Sequence, residues 1–371
     1  MERDRAHAAR RVQRRAAAPE PVRAGRPRAL PRHQREGIRA DGGTAVSIHV
    51  ARPGLLSTVQ DLGRHGEQHL GVCPGGAMDP VALALANALV GNPVHAAALE
   101  ITIIGPELRF EHVALVALCG AEFDSGLPRN RPVLLARGTR LSIGRAARGA
   151  RAYLAVAGGI DVAPVLGSRS TFLPGRFGGL EGRALRRGDV LPLLEDAAEL
   201  SQERFGALKN TDGPSVRWSA PPQTVPDREP VLMHAIEGQH FAGFDAASQR
   251  AFFDAVWYIA PESNRMGFRL AGPALARGDG DEILSGPTAL GTVQVPASGA
   301  PIALMADHQT TGGYPRIAEI AYADVPRLAQ LAPGATLHFA KCSLDTAVEL
   351  RKDVKARVDA VLQSIAWEFG H

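Results

Sequence analysis

Three stretches of the chain set side chains with strong hydrogen-bonding groups beside glycine-rich backbone. In STVQDLGRHGEQHLGVCPGGAMD, Gln60, Asp61, Arg64, His65, His69 and Asp79 fall within twenty residues, among glycines at 63, 66, 71, 75 and 76. Glycine lacks a Cβ, so such a loop lets a ligand approach the main chain and aims bare N–H groups at an anionic oxygen. In MADHQTTGGYPRI, the apolar run PIALMA leads into Asp307, His308, Gln309, Thr310 and Thr311, then Gly312, Gly313, Tyr314 and Arg316. Five consecutive hydrogen-bonding residues exceed what a hairpin turn requires, and they suit a small amide or carboxylate substrate. In ESNRMGFRL, Asn264 and Arg265 stand shortly before a glycine, and a guanidinium there can grip a carboxylate through two parallel N–H bonds, which Lys cannot imitate. Each stretch also has a structural reading: local pairing of Asp61 with Arg64, a polar hairpin turn, an arginine threaded between strands. GSRSTFLPGRFGG at 167–179 has the same character and reads first as turn chemistry.

Other chemistries lack their residues. The 12 His form no HExxH pattern, so no metal site is expected. There is no GxSxG elbow, no GxxxxGK[ST] loop to cradle ATP, and no AMKM-like lysine to carry biotin. Cys73, Cys119 and Cys342 lie far apart without a CxxC, which fits neither a disulfide framework nor a zinc ribbon and points to a reducing cytoplasm. The first 45 residues hold twelve Arg against five acids, while the whole chain has a net charge of +4, so the remainder is acidic at −3. That distribution argues against a nucleic-acid partner, whose proteins carry positive charge on the folded domain. No apolar run is long enough to span a bilayer.

The elements that must position these stretches are mostly strands. A hydrophobic share of 45% with 22% charged residues excludes a wholly disordered chain. Val46, Ile48 and Val50 alternate with polar residues at strand period, and short apolar runs recur with Gly or Pro punctuation through LEITIIG, HVALVALCG, PVLLARG, TRLSIG and RAYLAVAGG. This pattern predicts a mainly β protein of barrels or sandwiches with a few short helices. The clearest helix runs from Asp79 to Val90, with Asp79 as its cap and Pro80 at the first helical position. A second begins near Ser343 with apolar residues at three- and four-residue steps. The expected organisation is a disordered Arg-rich extension (1–45), a first lobe (46–200), a polar linker (201–229), a second lobe (230–342) and a C-terminal helix (343–371).

GLLSTVQDLGRHG, GAMDPVALALANALVGN, ALEITIIGPELRF, GSRST, SNRMGFRLAGP, GTVQVP and DHQTTGGYPRIAEIAYADVPRLAQLAPG stand in the order seen in the carboxyltransferase subdomain A/B family, which the chain resembles from about Val46 to Phe339. The resemblance implies two cyclophilin-like β-barrel lobes. It also implies work in a 5-oxoprolinase complex: together with two further kinds of chain, the A-type and B-type components, such a protein opens 5-oxo-L-proline to L-glutamate at the cost of ATP. One alternative is the carboxyltransferase half of a biotin-dependent urea or small-amide carboxylase, with carboxybiotin as donor; another is a non-catalytic protein that binds a kinase inhibitor. The family's motif residues fall on Gln60, Asp61, Arg64, Asp79, Asn264, Arg265, Asp307, Gln309, Thr310, Thr311 and Tyr314. Two positions depart from it: relatives often have Ser where Gly75 stands and Arg where His308 stands.

Chemical logic assigns roles within that frame. Arg265 or Arg64 would bind the substrate carboxylate. The Gly312–Gly313 backbone with Gln309 or Thr310 would receive the amide oxygen, where charge grows, and Asp307 would orient or accept a proton. Asp307, Gln309, Thr310 and Arg265 are thus the expected catalytic residues. Gln60, Asp61, Arg64, Asp79, Asn264, Thr311, Gly312, Gly313 and Tyr314 are the expected substrate contacts. These roles require the Gln60 and Tyr314 bends to share one pocket.

Overall fold

The computed structural model describes residues 46–278 and 283–370; the expectation for residues 1–45 lies outside them. In the first lobe a seven-stranded sheet runs in the order Leu56–Gln60, Ala98–Thr102, Ala146–Val156, Ala114–Phe123, Val133–Leu135, Ser215–Val216 and Thr211–Asp212. A four-stranded sheet, ordered Arg140–Ser142, Glu107–Phe110, Ser47–Arg52 and Val190–Pro192, contributes to the same core. Successive strand residues point to opposite faces, and both faces of the larger sheet are covered. Leu99, Ile101, Val116, Leu118, Leu154 and Val156 enter the core between the sheets. Their neighbours Ala98, Leu115, Ala117, Tyr153 and Ala155 meet helix α1 (Pro80–Leu89) on the other side. This two-sided burial is why these strands read as nearly continuous apolar runs.

Helix α1 begins as its sequence predicts: Pro80 occupies the first turn and the Asp79 side chain accepts from the Ala82 N–H at 3.0 Å. Helix α2 (Ala197–Ala207) crosses the expected lobe boundary at 200. Beyond it, the segment read as a polar linker also supplies the last two strands of the large sheet, so part of it belongs to the first lobe.

The second lobe is a closed seven-stranded barrel: Val231–Glu237, Arg316–Ile320, Thr292–Gln294, Ile302–Leu304, Gly267–Ala271, Trp257–Ile259 and Thr336–Lys341, the last pairing in parallel with the first. Helix α3 (Ala246–Asp254) packs on this core through Phe252, which stacks on Phe339 with ring centroids 4.5 Å apart. The short α4 (Val325–Leu328) leads towards the final strand, and α5 (Leu344–Glu368) starts at the Ser343 cap and lays Val361, Leu362 and Ile365 on the α1 layer of the first lobe. The mainly β architecture with few helices and a C-terminal helix is as expected. Among the described residues no helix is long and apolar enough to cross a membrane.

Candidate functional site

The lobes meet along a buried polar seam. Met78, from the loop before α1, joins the core of the second lobe, and this brings both expected site regions together. Arg265, on the loop entering strand Gly267–Ala271, is 3% exposed and all its donor nitrogens are used. Its Nε and Nη2 grip Asp307 at 2.9 Å each, Nη1 donates to Glu100 Oε1, and Nη2 also donates to the Gly76 carbonyl at 2.6 Å. Glu100, on the first-lobe strand Ala98–Thr102, accepts further bonds from the Met78 N–H and the Tyr153 hydroxyl.

The charge states follow from this geometry. Burial opposes the Arg265 charge, but Asp307 and Glu100 raise its pKa above the ordinary value. Burial likewise opposes the Glu100 charge, yet Arg265 and Arg151 hold its pKa below the usual range. Cys73, whose thiol faces the Ala306 carbonyl at 3.6 Å, is pushed up to about 11 by burial and by Asp307, so it is a packed thiol rather than a nucleophile.

The first glycine-rich loop reaches the second lobe at Gly75. A Cβ there would stand 3.3 Å from Arg64 Nη1 and 3.6 Å from Asp307 Oδ1. Arg64 is itself buried: Nη2 donates to the Ser170 carbonyl, the guanidinium lies 4.9 Å from the Phe177 ring centroid, and Nη1 has no partner among the described residues. Asp61 is consumed by the GSRST turn, accepting from both serine hydroxyls and from the Arg169 N–H. The Gln60 amide donates to Thr58 and the Thr171 carbonyl, and its oxygen is unpartnered among the described residues.

Asp79 is fully buried. Besides capping α1 it accepts from Thr224 and Gln330 at 2.5 and 2.7 Å, and burial raises its pKa. In this geometry it serves as a helix cap and lobe anchor. Gln330 extends the seam, accepting from the Ala150 and Arg151 N–H groups and donating to Asp79 and the Arg151 carbonyl. Gln330→Ala should lower stability by about 1–3 kcal/mol for each buried group left unpaired, measured by urea unfolding; an unchanged midpoint would contradict the seam's role.

The accessible chemistry lies further along the second stretch. Asn264, Gln309, Thr311 and Gly313 are exposed, Thr310 and Gly312 are half-buried, and Tyr314 is 50% exposed. Thr311–Gly312 pairs with Gly286–Pro287 as a two-stranded ribbon, and the Thr288 hydroxyl donates to the Gln309 carbonyl. Asn264 closes its own turn by accepting from the Met266 N–H at 2.8 Å. Gln309 Nε2 donates to Gln294 Oε1 at 3.1 Å. The Gln294 amide nitrogen is buried, without a partner among the described residues, directly under Gly312, where a Cβ would collide with it. Gly312→Ala should therefore displace Gln294 and release Gln309 while the barrel stays folded; a loss of thermal stability as large as that of Gln330→Ala would contradict this.

The structure thus joins the first loop to Asp307. Tyr314 lines a cavity of about 560 Å³ whose walls come from the second lobe, including Phe244, Leu275, Val295 and Pro315. A closed seam at Asp307 and Arg265 thus lies beside an open ribbon at 309–313. Glu100, Gln294, Gln330 and Ser170 were missed from sequence, although each is a polar residue set in an otherwise apolar or turn-forming segment.

Burial also lowers the His308 pKa from its ordinary 6.5. The neutral ring's contribution to stability is complete above pH 6.5 and is lost as pH falls towards the folded value. His308→Asn should therefore show a smaller fall in melting temperature than the parent between pH 7 and about pH 5; parallel curves would contradict the assignment.

A closed β-barrel joined by a buried Arg–carboxylate seam to a second β lobe, with the QTTGGYP ribbon exposed beside it, is the setting in which the family comparison falls. The description of a carboxyltransferase domain, subdomain A and B, matches residues 70–341, and the chain belongs to that family. Among curated proteins it is 42% identical to the C component of 5-oxoprolinase from Escherichia coli K12, over 86% of this chain and 98% of that one. It is 34% identical to urea amidolyase of Lachancea kluyveri over 85% of this chain, but this spans only 18% of that protein. The crystal structure of Kluyveromyces lactis urea amidolyase matches with a TM-score of 0.76 and 32% identity, over 85% of this chain and 20% of that one.

Proposed function

We propose that the chain is one component of an ATP-dependent 5-oxoprolinase complex that opens 5-oxo-L-proline to L-glutamate. The observation that carries this is its similarity to the C component of a 5-oxoprolinase over almost that protein's whole length. In the reaction, water adds to the lactam carbonyl carbon, the C–N bond breaks, and the nitrogen takes a proton. This chain's contribution is the ribbon: the Gln309 amide, the Thr310 and Thr311 hydroxyls and the Gly313 N–H are donors for the carbonyl oxygen as it gains charge, with Tyr314 and Asn264 at the edge of the substrate. Asp307 and Arg265 are positioning residues that fix the start of the ribbon. No GxxxxGK[ST] loop is present to cradle a triphosphate, so the nucleotide is assigned to a partner chain.

A ribbon open to solvent is an incomplete active site, which accords with a protein that is inactive alone and is completed by B-type and A-type partners in the cytoplasm. Co-expression with those partners and assay of ATP-dependent glutamate release tests the reading; no release would overturn it. The urea amidolyase similarity favours a second reading, transfer of a carboxyl group to a small amide, in which the same donors would meet the ureido oxygen of carboxybiotin. Product analysis separates the two.

A further inference from the structure

We propose that the cavity between α5 and the start of α4 binds a small α-amino dicarboxylate. It encloses about 250 Å³, below the roughly 300–1,000 Å³ typical of pockets for drug-sized ligands, and so suits a molecule of amino-acid size. It lies where the C-terminal helix, the segment at 223–224 and the second lobe converge, apart from the ribbon described above.

Its charged groups are arranged for a ligand. Asp324 is 5% exposed and spent: one oxygen accepts from the His234 N–H and Nδ1, the other from Arg327 Nη1 at 2.8 Å. Arg327 Nη1 also donates to the Leu232 carbonyl, which leaves the Nε–Nη2 edge without a partner among the described residues. That edge is the one through which a guanidinium grips a carboxylate with two parallel bonds, as Arg265 does with Asp307.

On the facing wall α5 presents Asp353 and Arg357, four residues apart. Elsewhere on this helix, acid–base neighbours close on one another: Glu349 with Lys352, and Lys355 with Asp359. Among the described residues Asp353 and Arg357 make no ion pair or hydrogen bond, although their spacing allows one. An unspent carboxylate and an unspent guanidinium on adjacent turns match the ammonium and carboxylate of an amino-acid head group. Arg327 opposite them matches a second carboxylate, and Leu350, Val354 and Pro326 enclose the methylenes between. Thr224, which also lines the cavity, donates to Asp79 at the lobe seam, so occupancy should stiffen that junction.

The assignment does not depend on the reaction, although L-glutamate, the product in the proposed reaction, is one member of the class. Isothermal titration of the full-length chain tests it with L-glutamate, with glutarate, which lacks the ammonium, with L-leucine, which lacks the second carboxylate, and with inorganic phosphate. The expected result is saturable L-glutamate binding at least about tenfold tighter than the other three. Arg357→Ala and Asp353→Asn should each weaken it by about tenfold or more, and Lys355→Ala should leave it unchanged. These substitutions are on exposed helix positions and should not disturb folding. Absence of L-glutamate binding, equal binding of phosphate or L-leucine, or binding indifferent to Arg357→Ala would overturn the proposal.

Discussion

Arg265→Met is expected to destabilise the protein by about 3–5 kcal/mol, the usual cost of leaving buried charges without their partner. Two carboxylates would be stranded: Asp307, gripped by Nε and Nη2, and Glu100, held by Nη1 across the lobe boundary. The Gly76 carbonyl would lose a donor as well. Arg265→Lys should recover little of this, because a single ammonium cannot reproduce a fork that serves three acceptors in different directions. Restoring neutrality with Glu100→Gln and Asp307→Asn in the Arg265→Met background should return part of the loss. Equilibrium urea unfolding reads all of these. A near-native midpoint for Arg265→Met would show that the seam does not hold the lobes and that this arginine is free for substrate.

Gln309→Ala is expected to behave in the opposite way. The side chain is exposed, but its bond is the one hydrogen bond of the buried Gln294 side chain among the described residues, so the variant should lose at most about 1–3 kcal/mol, less than Arg265→Met. If Gln309 donates to the lactam oxygen, loss of one such donor should slow ring opening by about 100-fold or more in the reconstituted complex. The effect should fall on kcat more than on KM, because the bond strengthens as charge develops. An unchanged rate would remove Gln309 from the site. A loss of rate matched by a loss of stability would make it structural.

The contrast between these residues marks the limit of sequence reading. Both stand in polar stretches beside glycine, and residue type and spacing alone give each the same standing. What separates them is burial created by long-range pairing. Arg265 meets its carboxylates because Glu100 arrives from a strand 165 positions away in the chain, a partnership no local pattern records. Asp79 shows the same limit from the other side: its cap role is legible from the following Pro80 and apolar run, but its bonds to Thr224 and Gln330 are not. The strands are easier to read, because period-two alternation and glycine punctuation are local properties. The segment at 201–229 misleads because its strand Ser215–Val216 pairs with Val133–Leu135 far upstream and carries Thr211–Asp212 with it, and two-residue strands carry no period. Gln294 illustrates the signal that is available: a glutamine between the two valines of GTVQVP is costly to bury unless it holds something, and it holds Gln309.

The central claim is that the open ribbon, fixed by the seam beneath it, supplies the donors for lactam opening within a multi-chain enzyme. The most direct measurement is ATP-dependent release of glutamate from 5-oxo-L-proline by the chain co-purified with its B-type and A-type partners, comparing the parent with Gln309→Ala. Release is expected from the complex and none from the chain alone, with a collapse of rate in a Gln309→Ala variant that still assembles and loses less stability than Arg265→Met. Undiminished release from the Gln309→Ala complex, or equal release when this chain is left out, would contradict it.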